Sequence, residues 1–187
     1  MGGRPKALID LGGRRIIERV LAAIAPAVDD VLVVTNTPDL YGFLGLPMVP
    51  DAVPGGGSLG GIYSGLRAAA GDAAFTVACD MPFLSTEVAR LVVGRAGEAD
   101  VVVPRVDGQY ETLHAVYGRA CLPHMERRLA AGELRIVGFF DRVRVAVVEE
   151  AELARLADPR VVFMNVNTPE ELERAQALAA REGRWTR

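Results

Sequence analysis

The sequence predicts a three-layer α/β sandwich around a mostly parallel sheet. Short β-branched runs alternate with amphipathic helical stretches along the chain. The run VLVV is continuously apolar, as strands covered on both faces are. The links between them are short, as layered α/β folds require.

Each element has its own signal. RRIIERVLAAIAP carries Ile16, Ile17, Val20, Leu21 and Ile24 on one helical stripe, closed by Pro26. DVLVVTN supplies a buried strand over 31–35, and PMVPD (47–51) a brief extended piece between prolines. GGIYSGLRAAA reads as a helix with Ile62 and Leu66 one turn apart, followed by the strand AAFTVACD. Ser85 is placed to cap STEVARLVVGRA. ADVVVPRV is a third strong strand, and YETLHAVYG a fourth suited to antiparallel pairing. In RACLPHMERRLAAG, Pro123 fits the first helical turn, and VRVAVVEE is a further strand. Thr168-Pro169-Glu170-Glu171 combines a capping threonine, proline at the first helical position and glutamate at the third. The terminal REGRWTR reads as a loose tail.

The totals narrow the function. At 187 residues, half of them apolar and 24% charged, the chain fits one domain, 1–187, with a sizeable core. A net charge of −3 argues against a general nucleic-acid binder. No apolar run approaches the roughly 18 residues of a membrane span, and no signal peptide follows Met1; the expected setting is the cytoplasm. Cys79 and Cys121 form neither a CxxC pair nor a zinc spacing. His114 and His124 lack triad or metal partners, so structural or surface roles are expected for both.

Ligands of such sheets bind beyond the carboxyl ends of the strands, which selects the loops after Thr35, Val49, Cys79 and Pro104. PDAVPGGGSLGGI places five glycines within Gly55–Gly61, ahead of a helix whose first N–H groups attract anions. Asp51 precedes that loop and can accept from a base or ribose. Asp80 leaves an apolar strand and needs a counter-charge, for which Mg²⁺ bridging to phosphates is one natural partner; a loop cap is the plainer alternative. Lys6 sits in the glycine-rich opening MGGRPKALIDLGG, as a phosphate-neutralising lysine would. Asn36, Asn165 and Asn167 are strand-end or helix-entry residues that could equally face a ligand. The chemistry indicated is phosphoryl or nucleotidyl transfer.

In order and spacing, MGGRPKALIDLGG with IIERVL, PDAVPGGGSLGGI, ACDMPFL and FMNVNTPEEL resemble the molybdenum cofactor guanylyltransferase (MobA-type) family of α/β nucleotidyltransferases, over nearly the whole chain. The resemblance implies a Rossmann-like nucleotidyltransferase sheet and transfer of GMP from GTP to molybdopterin, with Mg²⁺ and release of pyrophosphate. It implies Lys6 at the GTP phosphates and Asn36, Asp51, Gly57, Leu59 and Gly60 in the nucleotide site. Asp80 would hold the metal and act with Lys6 in catalysis, and Asn165, Asn167 and the 105–114 region would lie toward the pterin. Partners among other cofactor-biosynthesis or molybdoenzyme-maturation proteins are compatible with it. A molybdopterin cytidylyltransferase, a sugar-phosphate nucleotidyltransferase and a non-catalytic nucleotide-binding protein are the alternatives. Relative to the family pattern, Ser58 replaces a proline, Gly60 a common alanine and Thr112 a frequent proline. The family opens with a strand and LAGGxSxRMG, of which only the final Met-Gly precedes Gly3 here. The expectation is therefore a domain N-terminally incomplete relative to the family, with an interrupted sheet.

Overall fold

The computed structural model describes residues 5–182, with the side chain of Glu182 excluded. The glycines of the opening segment, Gly2 and Gly3, lie outside the described residues, as does the tail from Gly183 onward.

In chain order, helix α1 (Ile16–Ile24) is followed by strands β1 (Val33–Val34) and β2 (Met48–Val49), then by helix α2 (Gly57–Ala68). Strand β3 (Ala73–Val77) leads to α3 (Thr86–Gly94), β4 (Val101–Val106), β5 (Gln109–Tyr110) and β6 (His114–Gly118). Helix α4 (Leu122–Ala130), strand β7 (Val145–Glu149), short helices α5 (Glu150–Leu153) and α6 (Pro159–Val162), and α7 (Pro169–Glu182) complete the fold.

The main sheet runs β3-β6-β4, with β7 parallel to β4 and β5 folded back on it as a hairpin. Because β6 is antiparallel to both β3 and β4, strands β3, β4 and β7 share one direction. The predicted antiparallel strand, β6, is thus reversed relative to β3, β4 and β7, as is the short hairpin strand β5. The two-residue β4–β5 turn places both Asp107 and Gly108 at positive φ, 47° and 75°, as a type I′ turn demands.

Side-chain alternation gives the sheet two cores. Val102, Val106 and Val116 pack with Ile16, Val20 and Ile24 of α1, Val88 and Val92 of α3, and Ala175 and Ala179 of α7. Val101, Val103, Ala115 and Tyr117 face Leu59, Ile62 and Leu66 of α2, and Met125 and Leu129 of α4. Helices on both faces explain why Val101, Val102 and Val103 are all fully buried. The three-layer architecture follows from this arrangement.

Strands β1 and β2 pair in parallel as a separate two-stranded sheet, through Val33–Met48 and Val34–Val49. Helix α2 touches both sheets: a Cβ on Gly65 would lie 3.3 Å from Val34 Cγ2, while Leu59, Ile62 and Leu66 join the core beneath β4 and β6. Among the described residues no strand joins β1–β2 to the main sheet.

The local signals held in several places. Ser85 Oγ accepts the Val88 N–H (3.3 Å), and Pro123 lies in the first turn of α4. Thr168 Oγ1 accepts the Glu171 N–H (3.1 Å) while Glu171 Oε2 accepts the Thr168 N–H (2.9 Å), a reciprocal cap. Three boundaries differ. Helix α2 begins at Gly57, inside the glycine run. The strand expected over 31–35 pairs only through Val33 and Val34, having a partner of two residues. Arg181 and Glu182, expected in the tail, belong to α7.

Candidate active site

Three strand ends supply the site. Asn36 follows β1, Asp51 follows β2, and Asp80 lies three residues beyond Val77 at the end of β3. Asp80 is therefore a loop residue rather than the last residue of the strand.

Asn36 and Asp51 are tied together, because Asn36 Oδ1 accepts the Asp51 N–H at 2.9 Å. Asp51 Oδ1 accepts the Val53 N–H (3.1 Å) and the Ser64 hydroxyl (3.1 Å). The loop then turns tightly into α2. A Cβ on Gly56 would lie 2.9 Å from the Val53 carbonyl oxygen, so only glycine fits there. Gly57 has φ +56°, a value that also favours glycine. The first bond of the helix runs from the Gly60 N–H to the Gly56 carbonyl (2.9 Å), which places the N–H groups of Gly57, Ser58 and Leu59 ahead of it. Those donors, with the helix dipole, suit an anion. Leu59 contributes only its backbone here, since its side chain is fully buried in the core.

In a second cluster, Lys6 Nζ donates to Asn167 Oδ1 at 2.7 Å. The resemblance had divided these two residues between the phosphate and pterin sides; they meet directly. The Asp80 carbonyl accepts the Val166 N–H (3.0 Å), which fastens the Asp80 loop to the segment before α7. Glu171 Oε2 receives the Asn167 N–H (2.6 Å) as well as that of Thr168. Burial pushes the Asp80 carboxyl above the usual carboxylate range, and the nearby Glu171 charge adds to this. A backbone hydrogen bond and the Lys6 ammonium oppose the rise. Such a carboxylate gains from a further positive charge.

In the segment after Asn36, burial and, to a lesser degree, the Cys79 thiol hold the Tyr41 hydroxyl above its ordinary value. Tyr41, Ser64 and Glu171 are the residues sequence reasoning did not assign to the site. For Glu171 there was a signal, the cap at the start of α7, but nothing local pointed toward Asp80. Asn165 is not joined to Lys6, and its amide donates to the Phe163 carbonyl at 3.4 Å. In the 105–114 region, burial raises the Glu111 carboxyl, and the Thr112 carbonyl accepts the Tyr117 hydroxyl (2.8 Å). That bond ties down a loop lacking the family's frequent proline.

Neither histidine enters the site. His114 is fully buried, with its ring edge-on to Phe75 and Phe163 at centroid distances of 4.9 and 5.1 Å. His124 Nδ1 lies 2.9 Å from the Arg127 guanidinium on α4. Cys121 is buried and Cys79 exposed, both free thiols. Among the described residues no group of three or more histidine, cysteine or acidic side chains could cage a metal. No helix among them is long and apolar enough to cross a membrane.

A raised carboxylate beside a lysine, and a glycine-opened helix after a strand end, suit an α/β enzyme of nucleotidyl transfer. The comparisons agree. Residues 1–145 match the MobA-like NTP transferase domain, and the chain belongs to that family. It is 40% identical over 185 residues to the molybdenum cofactor guanylyltransferase of Desulfosudis oleivorans, covering 98% of this chain and 91% of that one. The probable molybdenum cofactor guanylyltransferase of Pelotomaculum thermopropionicum is 38% identical over 184 residues, covering 97% and 90%. The crystal structure of molybdopterin-guanine dinucleotide biosynthesis protein A from Archaeoglobus fulgidus superposes with a TM-score of 0.82 at 26% identity, covering 96% and 92%.

Proposed function

We propose that this protein is a cytoplasmic molybdenum cofactor guanylyltransferase, joining GMP from GTP to molybdopterin and releasing pyrophosphate. The observation that carries the reading is the Lys6–Asn167 bond of 2.7 Å beside Asp80. It gathers a cation, a metal-ready carboxylate and a neutral amide on one side of the site.

In this reaction an oxygen of the molybdopterin phosphate forms a bond to the α-phosphorus of GTP. The bond from that phosphorus to the bridging oxygen breaks, and pyrophosphate leaves with the electron pair. The attacking phosphate is already anionic near neutral pH, so no strong general base is required. That accords with the placement of both histidines outside the site. The work left to the protein is alignment of two anions and neutralisation of charge on the leaving group.

Lys6 is assigned to the triphosphate, and Asn167 holds its ammonium in place. The N–H groups opening α2 are assigned to a phosphate oxygen, and Asn36 and Asp51 to the nucleoside. A hard cation fits Asp80, whose half-buried oxygens are raised by desolvation. With no protein cage available among the described residues, phosphate oxygens and water would complete its shell. When bound, Mg²⁺ supplies positive charge to the triphosphate.

Calorimetric titration with GTP, CTP and ATP, each with Mg²⁺, tests the nucleotide assignment. GTP should bind with the highest affinity. A preference for CTP would overturn the guanine assignment in favour of a cytidylyltransferase, and no binding of any nucleotide would overturn the enzyme reading.

A further inference from the structure

Ser64 occupies the second turn of α2, 4% exposed, beneath the loop that carries Asp51. Its oxygen accepts the Ala52 N–H at 2.9 Å. Its single proton has two acceptors within reach, the Gly60 carbonyl at 2.7 Å and Asp51 Oδ1 at 3.1 Å. Donation to the carbonyl four residues back is ordinary for a helical serine. The additional contacts to Ala52 and Asp51 are not, and they bind the strand-end loop to the helix.

The carboxylate is constrained from below as well. A Cβ on Gly60 would lie 3.1 and 3.2 Å from Asp51 Oδ1 and Oδ2, so the carboxylate rests against bare helix backbone. Oδ1 already receives Val53 N–H and the Ser64 hydroxyl. Among the described residues no donor reaches Oδ2.

We propose that Ser64 is a positioning residue that turns Asp51 so that Oδ2 alone accepts one hydrogen-bond donor of the bound nucleoside. That donor is a ribose hydroxyl or the 2-amino group of guanine. The inference rests on the guanylyltransferase reading and deepens it: it makes Asp51 a receptor for one donor rather than a bidentate clamp. Without the Ser64 hydroxyl, Asp51 Oδ1 keeps only the Val53 N–H, and the two carboxylate oxygens can exchange places.

The test measures kcat and KM for GTP, 2′-deoxy-GTP, 3′-deoxy-GTP and ITP, which lacks the 2-amino group. Wild type, Ser64→Ala and Ser64→Thr are compared, with melting temperatures alongside. Ser64→Ala should raise KM for GTP about 10-fold, equivalent to one modest hydrogen bond, with kcat held within about twofold. The wild-type preference for GTP over the analogue missing the accepted donor should collapse in that variant. Loss of preference over ITP identifies the amino group, and over a deoxynucleotide the hydroxyl. Ser64→Thr should keep the preference. If Ser64→Ala does not fold, Ser64→Cys is read in the same way. Equal effects on GTP and all analogues, or a lowered melting temperature with unchanged KM, would overturn the proposal while leaving the guanylyltransferase reading intact. A wild type without GTP turnover overturns both.

Discussion

Asn36, Asp51, Gly60 and Ser64 are joined within a short stretch of chain by hydrogen bonds of 2.7 to 3.1 Å and one bare helix backbone. Lys6, Asp80, Asn167 and Glu171 come instead from opposite ends of the sequence, and the Lys6–Asn167 bond spans 161 positions. The first flank is built by neighbours, which fix Asp51 through its N–H and Oδ1. The second is assembled by the tertiary fold and gathers opposite charges. On the proposed reading, nucleoside recognition and charge neutralisation fall to different parts of the molecule.

Four substitutions separate the flanks, in order of expected effect. Asp80→Asn removes the charge that a metal would answer, and should lower Mg²⁺-dependent pyrophosphate release by about 10³-fold or more with folding retained. Steady-state rates alongside circular dichroism check this, and wild-type turnover would remove Asp80 from the metal role. Lys6→Ala should cost about 10²-fold to 10³-fold in kcat/KM. Asn167→Ala, which frees the ammonium without removing it, should cost about 10-fold. If the two act as a unit, the double variant loses little beyond Lys6→Ala, whereas multiplied losses would show that they act separately.

On the first flank, Gly60→Ala sets two effects against each other. Alanine favours the helix by up to about 1 kcal/mol, yet its Cβ would lie 3.1 Å from the Asp51 carboxylate. Stability should hold or rise while KM for GTP increases several-fold. Denaturant unfolding and kinetics on one preparation read both. An unchanged KM would mean that the carboxylate shifts without consequence.

The smallest expected effect on activity comes from His114, outside both flanks. Its ring nitrogens have no partner among the described residues, and burial lowers its pKa from 6.5 to about 3. Between those values the unfolded chain holds the proton and the folded chain does not. Stability is therefore full above pH 6.5 and falls as pH drops through the window, by up to ~1.4 kcal/mol per pH unit. His114→Phe should flatten that slope in urea unfolding at pH 4 to 7 (about the span in which the imidazole titrates when unfolded), while leaving neutral-pH turnover within about twofold.

The flanks also differ in how far the sequence exposed them. Strand–helix alternation, the Ser85 cap and the Thr168–Glu171 cap are local patterns, and each survives in the fold. Asp51 and Asp80 follow strand ends and Gly57 opens α2, so their position at the carboxyl edge of the strands was readable from chain order. The union of Lys6 with Asn167 was not, because no periodicity encodes a contact between distant segments. Ser64 escaped for another reason. A serine in a helix most often bonds its own backbone, and only the approach of Asp51 gives this one a second task. Leu59 fell between these cases: its site position was expected, but its side chain belongs to the core.

Pyrophosphate release in the presence of molybdopterin and Mg²⁺, with GTP and CTP supplied separately, is the sharpest test of guanylyl transfer. Release from GTP should proceed at a kcat/KM at least about 10-fold above that for CTP, with none when molybdopterin or Mg²⁺ is withheld. Equal or preferential use of CTP, or release independent of molybdopterin, would contradict it.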